Sequence, residues 1–177
     1  MPGFVRDHLI FLDGDDELAL SALEEHAACI TGHSDVDLSL ASFRRVGPNG
    51  MTTEVSFARR VDSGTGFAYL ANFSPACVVN VPASGICVSR ALFDRVAGWD
   101  ELLRCWEVTD FLMRACMSAR IVGVDRDVSL MVYELPENSQ FLRARGMPEY
   151  RVRLVSKMAA CLAEMAEPAR AEMAITR

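Results

Sequence analysis

A mixed α/β fold, a mainly parallel sheet flanked by helices, is predicted by three features of the sequence. The first is His8-Leu9-Ile10-Phe11-Leu12-Asp13-Gly14-Asp15-Asp16-Glu17-Leu18, where an apolar run passes straight into carboxylates. Such a run reads as a strand buried on both faces, and helices cover strands of that kind. The second is a pair of period-two runs, Val36/Leu38/Leu40 and Met51/Thr53/Val55/Phe57, on either side of Gly47-Pro48-Asn49-Gly50. They read as two strands joined by a short loop. The third is a set of apolar stripes at helical spacing between the strands, which makes the sheet a mixed one.

Taken in order, Ala19, Ala22, Leu23, His26, Ala27 and Ile30 predict a helix from Asp16 of about four turns, ended by Gly32. His26 lies on its apolar stripe and is expected to be half-buried and hydrogen-bonded. Residues 59–82, with Asp62-Ser63-Gly64-Thr65-Gly66 and Ser74-Pro75, are expected to be irregular or mobile. Ser84 to Arg90 predicts a short strand entering a helix capped by Ser89 and ending near Ala97-Gly98. A second helix carries Val108, Phe111, Leu112, Ala115, Cys116 and Ala119 on one stripe, with Glu107, Asp110 and Arg114 along its flank. Asp110 and Arg114 then form an i, i+4 surface ion pair. Ile121 to Val124 and Val128 to Val132 predict two short strands around Asp125-Arg126-Asp127. A last helix starts at Pro148, a good first helical residue, and ends before Pro168. This divides the chain into a main unit, 1–147, and a C-terminal helical extension, 148–177.

With 177 residues, 51% hydrophobic and 24% charged, the chain is long enough for one domain that buries roughly 70% of its extended surface. A net charge of −6 argues against a nucleic-acid partner, since a phosphate backbone demands a basic footprint. The six cysteines form no C-x-x-C pair, so no zinc pattern emerges. Isolated thiols fit a reducing, cytoplasmic setting. No apolar run is long enough for a transmembrane segment. Lys157 is the chain's one lysine, so a mechanism needing a catalytic lysine has a single candidate.

The acids after Leu12 sit at the carboxyl end of the first strand, where ligands bind in open α/β sheets. Asp13 and Asp15, one residue apart, can both turn toward a hard divalent cation such as Mg²⁺ or Mn²⁺ holding a phosphate. The plainer alternative is that Asp15 or Asp16 caps the helix that follows.

Phe11-Leu12-Asp13-Gly14-Asp15-Asp16 resembles the D-x-D segment of family 2 glycosyltransferases of the GT-A fold. Gly98-Trp99-Asp100-Glu101 and Trp106-Glu107-Val108-Thr109-Asp110-Phe111-Leu112-Met113-Arg114-Ala115 are similar to two further segments of that family, in the same order. The resemblance implies a truncated GT-A-like fold and metal-dependent transfer of a sugar from a nucleotide-sugar donor to a hydroxyl-bearing acceptor. It implies a diphosphate-binding group of Asp13, Asp15 and Asp16, with Asp13 and Asp15 on Mn²⁺ or Mg²⁺. It further implies substrate contacts from Asp100, Glu101 and Trp106, and a general base, a role for which Glu107 and Asp110 are the candidate substitutes unless base catalysis has been lost. The family's base position is Val108 here, and valine cannot accept a proton.

Two more departures accompany the likeness. Tyr133-Glu134-Leu135-Pro136-Glu137-Asn138-Ser139 resembles a family segment in which arginine stands at the place of Glu134 and a histidine follows. The family's base-binding strands also precede its D-x-D strand, whereas seven residues precede His8. The strand His8 to Leu12 is therefore expected to present a free edge, covered in a homo-oligomer or by a partner chain. Two other readings follow from the same residues. One is a non-catalytic scaffold or regulatory subunit of glycosyltransferase ancestry. The other is a haloacid-dehalogenase-like phosphatase with Asp13 as nucleophile and Asp15 as acid, which Asp16-Glu17 and the position of Lys157 fit poorly.

Overall fold

A computed structural model of the chain describes residues 8–32, 36–47, 49–56, 81–119, 121–133, 144 and 146–164. In chain order these form β1 (His8–Ile10), β2 (Glu17–Leu18), α1 (Ala22–Gly32), β3 (Val36–Val46), β4 (Thr52–Ser56) and a 3₁₀ turn at Ala83–Gly85. β5 (Ile86–Ser89), α2 (Arg90–Arg95), α3 (Glu107–Ser118), β6 (Ile121–Tyr133) and α4 (Pro148–Glu164) follow. The expectations for 59–80 and for Glu134 to Ser139 lie outside the described residues.

The sheet is built around β3. Along one edge it pairs in parallel with β6, from Val36↔Ile121 to Val46↔Tyr133. Its other edge is shared: Leu38 to Leu40 pair with β5, and Phe43 to Val46 with β4, both antiparallel. β1 extends the sheet beyond β5 and β2 extends it beyond β6, giving the order β1-β5-β3-β6-β2 with β4 off this path. The mixed α/β architecture is the expected one. Its parallel part is the long β3–β6 ladder, and the other four described pairings are antiparallel, of which only β3–β4 is closed by a short connection. The β3–β4 hairpin turns at Gly47 to Met51, where Gly50 holds φ 74° and the Gly47 N–H donates to the Met51 carbonyl at 2.9 Å. A left-handed φ of that kind favours glycine.

Helices cover both faces of β3. Leu38 and Leu40 pack with Ile86 and Val88 of β5, Leu92 of α2, and Phe111, Leu112 and Ala115 of α3. On the alternate positions, Ser39 is buried and its hydroxyl lies 2.9 Å from His26 Nδ1 on α1. His26, 1% exposed, is thus hydrogen-bonded as expected but fully buried rather than half-buried. The polar alternation of β3 does not mark a solvent face; α1 covers it, and a hydrogen bond compensates the burial. Each large apolar side chain in this core contributes about 1.5–3 kcal/mol of transfer free energy.

Two local expectations change. The helix expected from Asp16 starts at Ala22, because Glu17 and Leu18 are extended and pair with Met131 and Leu130 at the end of β6. Tertiary pairing outweighs the helical spacing there. The two strands expected at 121–132 are one, since β3 passes from Leu40↔Val124 to Ser42↔Val128. The register jump takes up Asp125-Arg126-Asp127 as an irregularity in an otherwise continuous strand.

Candidate active site

The strand β1 ends at Ile10, and the chain then packs Phe11 against the core and leaves the turn Asp13-Gly14-Asp15 at the surface, with the Asp13 carboxyl partly shielded. A tight turn follows, closed by the Asp16 N–H donating to the Asp13 carbonyl at 3.2 Å. Ser84, wholly buried in the 3₁₀ turn, pins it from below. Its hydroxyl accepts from the Asp13 N–H at 2.9 Å and donates to Asp16 Oδ2 at 2.6 Å. The neighbour Gly85 lets this turn approach the sheet, since a Cβ there would meet Val81 Cγ1 at 2.8 Å.

Aromatic packing brings the second motif to the first. Phe11 meets the edge of Trp99 at 4.9 Å between ring centres, and Trp99 in turn lies 4.5 Å from Phe111 of α3. The backbone reaches Trp99 through a sharp helix exit, with Ala97 and Gly98 both at φ 59° and the Gly98 N–H donating to the Phe93 carbonyl at 2.9 Å. That C-terminal geometry explains a glycine at this point. α3 then opens on Trp106, a left-handed residue at φ 60° without a side-chain cap bond. For a bulky residue this is a strained backbone, of order 1–3 kcal/mol, and such strain clusters at functional sites.

Glu107, the first residue of α3, is half-buried, and its Oε2 is closed off from water with no hydrogen-bond partner. Burial pushes its carboxyl above the ordinary range, and the charge of Asp13 adds to the push. Asp13 is raised by burial and by Asp15. Asp16 is raised by burial too, against the opposing hydrogen bond from Ser84, with further repulsion from Asp13 and Asp15. The charges of Asp13 and Asp15 thus act on their acidic neighbours without the carboxylates converging on one point, and none of the four acids forms an ion pair with a described Lys or Arg. Opposite charge within a few ångströms is what this arrangement calls for.

The other candidates go elsewhere. Asp110 is fully buried and bound by Arg114, whose Nε and Nη2 reach Oδ2 at 3.0 and 2.6 Å, while Lys157 Nζ stands 2.7 Å from Oδ1. The i, i+4 pair exists, but as a buried one. Arg114 also donates to the carbonyls of Val96 and Gly98, tying α3 to the exit of α2. Asp100 is gripped through both oxygens by Arg153, at 2.9 and 3.0 Å, and by Lys157 at 2.7 Å. The Arg153 hydrogen bonds, then those of Lys157 and the Leu102 N–H, hold the Asp100 carboxyl well below the usual range against the opposing effect of burial. Glu101 is exposed, Trp106 half-buried beneath Arg151, and Val108 rests against the hydrophobic core. Sequence reasoning missed Ser84, whose signal was a small hydroxyl residue beside a tightly placed glycine.

The fold defined by these elements is a mixed α/β, GT-A-like one. Solved structures carry the likeness. The crystal structure of S. aureus TarS 1-349 in complex with UDP-GlcNAc superposes with a TM-score of 0.68 at 18% identity, covering 96% of this chain and 48% of that one. TarS 1-349 alone gives 0.65 at 19% identity, with 96% and 46% covered. A further TarS structure gives 0.67 at 18% identity, with 94% and 27% covered. The chain thus spans about half the length of TarS 1-349. Neither a protein-family model nor a curated protein matches the sequence. Among the described residues, no helix is long and apolar enough to cross a membrane.

Proposed function

We propose that this chain carries the diphosphate-binding and acceptor-facing part of a glycosyltransferase. In this reading it transfers a sugar from a nucleotide-sugar donor to a hydroxyl group by an inverting displacement. The observation that carries the reading is the Glu107 carboxylate, whose Oε2 is shut off from water without a hydrogen-bond partner and which feels the charge of Asp13. A base for the attacking hydroxyl needs a free carboxylate with a raised proton affinity. Glu107 has both properties; Asp110, locked between Arg114 and Lys157, has neither freedom nor access. Glu107 would accept the acceptor's proton, with the strained Trp106 setting its direction.

The donor chemistry of the turn fits a divalent ion. Asp13 and Asp15 offer hard oxygen ligands in a place of unrelieved negative charge, suited to Mg²⁺ or Mn²⁺. No group of three or more His, Cys, Asp or Glu surrounds one point among the described residues. That agrees with the usual Mg²⁺ arrangement, in which the protein supplies one or two carboxylates and phosphates and water complete the shell. When bound, the ion neutralises the departing diphosphate. Ser84 holds the turn in shape by occupying Asp16, which leaves Asp13 and Asp15 to the ligand.

UDP-GlcNAc, the ligand of the TarS complex, is the first donor to try. Calorimetric titration with Mn²⁺ and UDP-GlcNAc should give heat for the native chain and none for Asp13→Ala. Glu107→Gln should keep that binding and lose about 10²–10⁴-fold in donor turnover. A native chain that binds neither metal nor donor would end this reading.

A further inference from the structure

Helix α4 meets the site through charge and one ring, and its contacts bracket Glu107. Arg151 lies over the Trp106 ring at 5.8 Å, immediately before Glu107 in sequence. Arg153 holds Asp100 at the exit of α2. Lys157 Nζ stands 2.7 Å from Asp100 Oδ2 and 2.7 Å from Asp110 Oδ1, so one ammonium joins that exit to the first turn of α3. Both carboxylates are nearly or wholly shielded, with side-chain exposures of 8% and 0%. Lys157 is the one cation shared by these two shielded anions on different elements; releasing it would leave Asp100 to Arg153 and Asp110 to Arg114, each short of one counter-ion and no longer joined to the other.

We propose that Lys157 is a positioning residue: by joining Asp100 to Asp110 it fixes the start of α3 so that the Glu107 carboxylate faces Asp13. The catalytic consequence rests on the transferase reading; the bridge itself does not. The sole lysine of the chain, far along the sequence in the C-terminal helix, thus governs the base without touching substrate.

The test is amide hydrogen exchange on the full chain, native and with Lys157→Met or Lys157→Arg. Lys157→Met should accelerate exchange in residues 98–110 at least tenfold and leave β3 unchanged. Lys157→Arg, which keeps the charge, should recover protection to within threefold. Unchanged exchange at 98–110, or acceleration spread evenly into β3, overturns the proposal. If Lys157→Met does not fold, Asp100→Asn cuts the same bridge at its other end and carries the same measurement. In donor turnover, Lys157→Met should lower kcat at least tenfold with KM for UDP-GlcNAc within twofold. Faster local exchange with kcat intact overturns the positioning role. A native chain without turnover defeats the transferase reading instead, and the exchange pattern then decides the bridge alone.

Discussion

Ser84 makes two hydrogen bonds that shape the D-x-D turn, one received from the Asp13 N–H and one given to Asp16. Ser84→Ala leaves a half-buried donor and a half-buried acceptor unpaired, and should cost about 1–3 kcal/mol in urea denaturation while weakening Mn²⁺ binding. Asp13→Asn should do the opposite to stability. It removes a charge that burial and Asp15 both disfavour, so the metal-free variant should melt higher than the native chain and yet fail to bind Mn²⁺. Asp100 behaves in the reverse sense. Its folded pKa lies below the unfolded one, so its contribution is present above the unfolded value, about 3.9, and is lost as pH falls below it. The stability gap between the native chain and Asp100→Asn should therefore shrink between pH 7 and pH 3. Asp13, Asp15 and Glu107 were visible in the sequence as acids in motif order. The choice between Glu107 and Asp110 was not, because it depends on which carboxylate meets cations from another helix.

At the scale of elements, the α2–α3 junction bears the greatest demands. Gly98 sits at φ 59°, and an added Cβ would lie 2.9 Å from the Phe93 ring. Gly98→Ala should destabilise by about 1–2 kcal/mol from the left-handed backbone alone, with the Phe93 contact adding to it. A thermal melt, with Arg114 contacts to the Val96 and Gly98 carbonyls disturbed, is the measure. The glycine was legible as a helix stop, and α2, α3 and the start of α4 follow their apolar spacing and the Ser89 cap, whose oxygen accepts from the Leu92 N–H at 3.2 Å. The start of α1 was not legible. Glu17 and Leu18 look helical by spacing, and only their distant partners on β6 make them extended.

For the whole molecule, the sheet order leaves β1 as its last described strand beyond β5. His8, Leu9 and Ile10 are half-buried rather than covered. An apolar edge of this sort favours addition of another strand, and self-association or a partner chain remains the proposal drawn from it. Static light scattering over a hundredfold concentration range should show mass rising above that of one chain; a constant monomer mass rules out pairing of copies through this edge.

Local order in this protein follows from local residues. An apolar run before acids, a Gly-Pro-Asn-Gly loop and helical stripes determined the mixed α/β class and the place of the D-x-D turn, because period and turn chemistry act over a few positions. The rest was decided by contacts across long stretches of chain. Ser84 reaching Asp16, Phe11 meeting Trp99, and Lys157 joining Asp100 to Asp110 each depend on how the sheet and α4 close together. Such pairings leave no period in the sequence, since the energy that selects them appears only once the core has brought the partners out of water.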